Sequence, residues 1–163
     1  MKCKKQRGQK RRLNALLENI SYVTPFKDTT ARYDHFRVPC DRFISSPKTS
    51  GKIKTSFCKA WLEKTEDIIK LKPASIPFCK VVAIINSGDL WESQIVVFYD
   101  KSYYDSFWIR SLADQVWTPI EDNARSFARE RNITTSLKEV GYIEAITEGD
   151  FSKKTTLWFY GDI

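Results

Sequence analysis

Two runs of β-branched residues constrain the fold more than any other feature of this chain. "KVVAIIN" spans residues 80–86 and "ESQIVVFYD" spans 92–100, with only "SGDLW" between them. β-branched side chains are stiff at χ1 and pack well on a pleated surface. Both runs carry apolar residues at odd and at even positions, so both faces of each strand need cover. A connection this short cannot hold a crossover helix, so the strands are expected to pair antiparallel as a hairpin at the sheet centre.

The flanking segments supply the cover. Leu13, Leu16, Leu17 and Ile20 form one apolar helix face, in a helix expected to begin near Lys10 and to end before Pro25. "FRVPC" is expected as a short edge strand, because Pro39 cannot donate to a central ladder. "SSPKTSG" reads as a loop. A second helix is expected over residues 52–71, with Phe57, Cys58, Trp61, Leu62, Thr65, Ile68 and Ile69 on its buried stripe and Lys72-Pro73 ending it. "TPIE" predicts a third helix, with Thr118 as cap, Pro119 in the first turn and Glu121 completing a capping box. That helix would bury Ile120, Ala124, Phe127 and Ala128, pair Glu121 with Arg125 on its exposed side and end near Asn132. "GYIEAIT" and "TTLWFYG" predict a closing hairpin across "EGDFSKK". The expected architecture is α+β: an antiparallel sheet of about four to five strands with about three helices packed on it.

At 163 residues the chain is long enough to bury a core without disulfides or metals. Cys3, Cys40, Cys58 and Cys79 are widely spaced and form no C-x-x-C, which suits reduced thiols in a cytoplasmic protein. No apolar run of about 7–15 residues follows the basic opening, as a secretory leader requires. Instead the chain continues "LNALLENI", with Asn14, Glu18 and Asn19. No stretch approaches the roughly 18 apolar residues of a membrane span.

Charge is distributed unevenly. The chain has 27 Lys+Arg against 20 Asp+Glu, and its first twelve residues hold seven cations and no acid. These are Lys2, Lys4, Lys5, Arg7, Lys10, Arg11 and Arg12. Residues 1–12 are therefore expected to be a basic arm ahead of a single domain at 13–163. Such an arm suits a line of phosphates, whose neutralisation releases counterions. Arginines hold phosphates bidentately and lysines act as point charges. Gly8 would let an extended arm bend along a groove. A solvated tail, an acidic protein and an anionic lipid surface are the other uses open to the same charge.

The opening "RGQKRRLNAL", the central "VVAIINSGDLWESQIVVF" and the end "LWFYGDI" resemble a small family of bacterial proteins defined as a domain of unknown function. The resemblance covers most of the chain. It implies a bacterial, cytoplasmic setting and gives no catalytic residue to carry over.

"YYDSFWIR" sets aromatic rings beside Lys101 and Arg110, the combination that grips single-stranded nucleic acid by stacking and phosphate contact. Tyr104, Phe107 and Trp108 share a helical face and fit a core, which leaves Tyr103 as the ring expected to be available. Catalytic signals are weak. His35, the one histidine, lies five residues before Cys40, on the opposite face of an extended strand. Glu144, Glu148 and Asp150 could in principle hold Mg²⁺, but a polar hairpin tip neutralised by Lys153 and Lys154 explains them as well. No phosphate-loop, dinucleotide, nucleophile-elbow or zincin motif is present.

The chain is thus read as a non-enzymatic binding protein with no metal site and no cofactor. Its partner is expected to be nucleic acid, RNA or the ribosome ahead of DNA. The expected contacts are Lys2, Lys4, Lys5, Arg7, Lys10, Arg11, Arg12, Lys101, Tyr103 and Arg110. The alternative is a protein–protein module, such as an immunity protein or antitoxin, facing an acidic partner.

Overall fold

The computed structural model describes residues 2–28, 30–38, 46, 48–86, 93–105, 117–119, 127–145 and 154–162. In chain order these form α1 (Lys2–Ser21), β1 (Tyr33–Val38), α2 (Gly51–Lys70), β2 (Lys80–Asn86) and β3 (Ser93–Phe98). There follow the short α3 (Lys101–Tyr103), β4 (Trp117–Pro119), the short α4 (Phe127–Glu130), β5 (Lys138–Ala145) and β6 (Lys154–Asp162). Among the described residues the strands form one six-stranded antiparallel sheet, in the order β1-β3-β2-β6-β5-β4. The fold is α+β.

The central hairpin is where the β-branched runs put it. Val82 faces Val96 and Ala83 faces Ile95 across the β2–β3 ladder. Alternation then splits the core in two. Val81, Ala83, Ile85, Ile95 and Val97 face the layer of α1 and α2, and meet Leu13, Leu16 and Ile20 from the first helix and Phe57, Trp61 and Leu62 from the second. Val82, Ile84, Val96 and Phe98 point to the other face, where Tyr104 covers them. Trp61 is fully buried and stacks on Phe57 with centroids 6.1 Å apart.

Two segments tie the helical layer to the sheet. Phe26 takes a left-handed backbone, φ 69°, which costs a bulky side chain about 1–3 kcal/mol. Its N–H is held by Asp34 Oδ2 at 3.3 Å and by the Tyr99 hydroxyl at 3.1 Å, and the Tyr99 hydroxyl itself donates to Asp34. On the other side, Glu66 of α2 accepts from the Thr135 hydroxyl at 2.6 Å and the Ser136 N–H at 2.6 Å, pinning the segment between α4 and β5.

Three expectations change. The first helix begins at Lys2, not near Lys10. Lysine, arginine and glutamine are good helix formers, and one glycine costs only about 1 kcal/mol. Thr118 and Pro119 do not open a helix: they lie in β4, opposite Tyr142 and Gly141 of β5. Proline suits this place because β4 is an edge strand, where a missing N–H need not break a ladder. The helix that follows appears at Phe127–Glu130, and Glu139 caps it by accepting the Ala128 N–H at 2.8 Å. The proposed stripe positions Ile120 and Ala124, and the Glu121–Arg125 pair, lie outside the described residues. Finally, among the described residues the sheet has six strands, one more than the upper expectation, and the added strand is β4.

Candidate functional site

The seven N-terminal cations stand on a helix, because α1 runs without a break from Lys2. Gly8 sits inside it, and a Cβ there would meet nothing within 4 Å. The backbones of Lys2, Lys4, Lys5 and Arg7 are helical, while their side chains lie outside the described residues. Lys10, Arg11 and Arg12 are exposed, next to the buried Leu13. No acid occupies the first turn, and Glu18 is the first acidic residue of the chain. Cations here oppose the helix dipole, at about 0.3–1 kcal/mol each near the terminus. The same placement draws in an anion.

Gln9 fixes where this basic half lies. Its amide Nε2 donates to the Lys48 carbonyl at 2.7 Å, and its Oε1 accepts the Ser50 N–H at 3.3 Å. At the other end of the pair, Lys64 Nζ reaches the Ser21 carbonyl at 3.4 Å. Gln9 therefore meets the start of α2 and Ser21 meets its later half, so the two helices run parallel with their N-termini together. This places Lys48, Lys52 and Lys54 beside the basic half of α1. Residues 42–62 carry Arg42, Lys48, Lys52, Lys54 and Lys59 and no acid. This second group does not show in the net charge, because beyond residue 12 the chain's Lys+Arg and Asp+Glu balance at 20 each. The signal was the acid-free run itself.

The remaining candidates lie elsewhere. Lys101 is exposed but pairs with Asp105 at 2.9 Å. Tyr103 is half-buried and stacks on Tyr33, with centroids 5.2 Å apart and planes 5° apart, and the Arg32 guanidinium stands 5.8 Å from its ring. The available ring of this pair is Tyr33, 39% exposed, and not Tyr103. Both rings pack against Phe98, on the sheet face opposite α1. The run from Lys10 to Ser21 spans roughly 16 Å at 1.5 Å per residue. The basic and aromatic groups are thus two places and not one. Arg110, Phe107 and Trp108 lie outside the described residues.

His35 binds across the edge of the sheet, with Nε2 2.7 Å from Gln94 Oε1, and Cys40 lies outside the described residues. Glu144 stands in β5 opposite Thr155 of β6, while Glu148 and Asp150 lie outside the described residues. Among the described residues no three His, Cys, Asp or Glu side chains gather as metal ligands, and no helix is long and apolar enough to cross a membrane. Cys58 and Cys79 are buried thiols, and burial pushes Cys79 up to about 11, against the pull of Lys72.

A family model described as "Protein of unknown function (DUF3916)" matches residues 15–162. The chain belongs to this family. The DUF3916 match takes in all six described strands, α2, and Lys48, Lys52 and Lys54. It begins inside α1, after the seven N-terminal cations. No curated protein and no solved structure matches the chain.

Proposed function

We propose that the protein binds nucleic acid through its phosphate backbone, using the cationic N-terminal half of α1, without catalysing a reaction. One observation carries this: seven cations and no acid in the first twelve residues, on a helix whose described turns are held against α2 by Gln9. A helix that concentrates positive charge at its own positive end gains from a polyanion, and counterion release supplies the driving force. RNA, or an RNA-rich surface such as the ribosome, comes before DNA, because the Tyr33–Tyr103 stack gives an unpaired base a second, separate contact. The test is purification at low and at high salt, with the bound material typed. RNA retained at low salt and released at high salt is the expected result. A retained protein, or nothing at all, goes against the reading.

A protein-docking module is the second reading, and it rests on a different end of the molecule. Tyr22 and Leu71 are 69% and 70% exposed and directly follow α1 and α2. Because the helices are parallel, both side chains lie at the end away from the basic half of α1. An immunity-type partner would be acidic where it meets the basic end and apolar where it meets Tyr22 and Leu71.

A further inference from the structure

We infer that the start of α2 and the turn before it supply a second limb of the phosphate-binding surface, so that Lys48, Lys52 and Lys54 contact the RNA backbone together with Lys10 and Arg11. The inference rests on the reading of α1 as a phosphate-binding element and extends it to residues inside the family's shared region.

Lys10, Arg11, Lys48 and Lys52 are exposed and Lys54 is half-buried. None of the five forms an ion pair among the described residues. The next cation along α2, Lys59, is already paired with Glu63 at 3.6 Å. That pair marks the edge of the patch: beyond it α2 carries Glu63, Glu66 and Asp67, and α1 carries Glu18. The charge is therefore sorted along the axis shared by both helices, cationic at one end and mixed at the other.

Rigidity separates this surface from a free basic tail. Packed helices sit about 8–10 Å apart. Gln9 holds the two helices in register by bonding to both Lys48 and Ser50. Cations fixed on two neighbouring elements can meet two stretches of backbone at once. A folded RNA presents two such stretches and an unstructured strand presents one. Gln9 is a positioning residue here, since it carries no charge of its own.

The experiment measures anisotropy of a fluorescein-labelled RNA hairpin of mixed sequence against the whole protein over a range of salt. An oligo(U) strand of equal length is the comparison. The variant K48Q/K52Q/K54Q is set against K27Q/K70Q/K72Q, which removes the same charge from the far end. The first should flatten the log–log salt slope by up to about 0.7–0.9 for each lysine lost, and should narrow the preference for the hairpin over oligo(U). The second should leave both unchanged. Gln9→Ala keeps every cation, yet should weaken hairpin binding several-fold at unchanged helicity. If the parent binds RNA and the two triple variants behave alike, the second limb is wrong and α1 acts alone. If the parent binds no RNA at low salt, the reading of α1 fails first and the inference falls with it.

Discussion

The Oε1 of Gln9 accepts the backbone N–H of Ser50 at 3.3 Å, joining residues 41 positions apart and setting the start of α2 beside the basic half of α1. The neighbouring bond to the Lys48 carbonyl makes the contact two-pointed. Sequence neighbours did not produce this surface. Two separated acid-free segments did, once the helices were laid parallel.

Gly8 tests whether the basic segment works as a helix. It stands in the interior of α1 with open space around a would-be Cβ. Gly8→Ala should raise the stability of α1 by about 0.5–1 kcal/mol and increase helicity by circular dichroism. RNA affinity should rise or stay level. Weaker binding by a more helical variant would show that the segment binds in an extended form.

The central hairpin is covered on both faces. Ile84 and Val96 lie on the side away from α1 and α2, and both are buried. Ile84→Asp or Val96→Asp would place an unpaired charge among apolar side chains and should unfold the protein. Soluble variants with native circular dichroism at both positions would contradict the two-sided core.

Glu66 should make stability depend on acid. Burial alone would raise its pKa, but hydrogen bonds from Thr135 and Ser136, with Lys70 nearby, outweigh burial and bring it below the ordinary glutamate value. The unfolded chain therefore takes up the proton first as pH falls. The contribution is full above the ordinary glutamate value and is lost as pH drops through the lower folded one. Glu66→Gln should lower stability by about 1 kcal/mol at neutral pH, a few degrees in Tm, with the gap closing in acid. A gap of constant size across that range would rule out the ionised carboxylate as its cause.

Cys79 should be silent to thiol reagents in the native state. Its side chain is fully buried and its pKa is pushed up to about 11, so little thiolate exists near neutral pH. Site-resolved mass spectrometry after alkylation should find Cys79 unmodified until the protein is denatured. Rapid native labelling would show that the face between the sheet and the helices opens readily.

Much of the fold was legible because its signals are local. The β2–β3 hairpin, the Leu13–Ile20 face and the Phe57–Ile68 stripe each follow from periodicity within one segment. The failures share one cause. Thr118-Pro119-Ile120-Glu121 looks like a helix start by itself, but Trp117–Pro119 pairs with β5, and the cap of the following helix comes from Glu139. Neither partner is visible within a local window. The lysines around the start of α2 were equally hidden, because their place beside α1 depends on Gln9 meeting residues about 40 positions away.

The most direct test of the account is the salt dependence of RNA binding by the whole protein and by R7Q/R11Q/R12Q. With seven cations on α1 as the main contacts, the log–log slope for the parent should lie between about 3 and 6, at roughly 0.7–0.9 per phosphate neutralised. The triple variant should flatten that slope by about two and weaken binding alike for RNAs of different sequence, because phosphate contacts position a ligand without specifying it. An unchanged slope in the variant, or a parent that binds no RNA at about 50 mM salt, where electrostatic binding is strong, would contradict the central claim and turn attention to a protein partner.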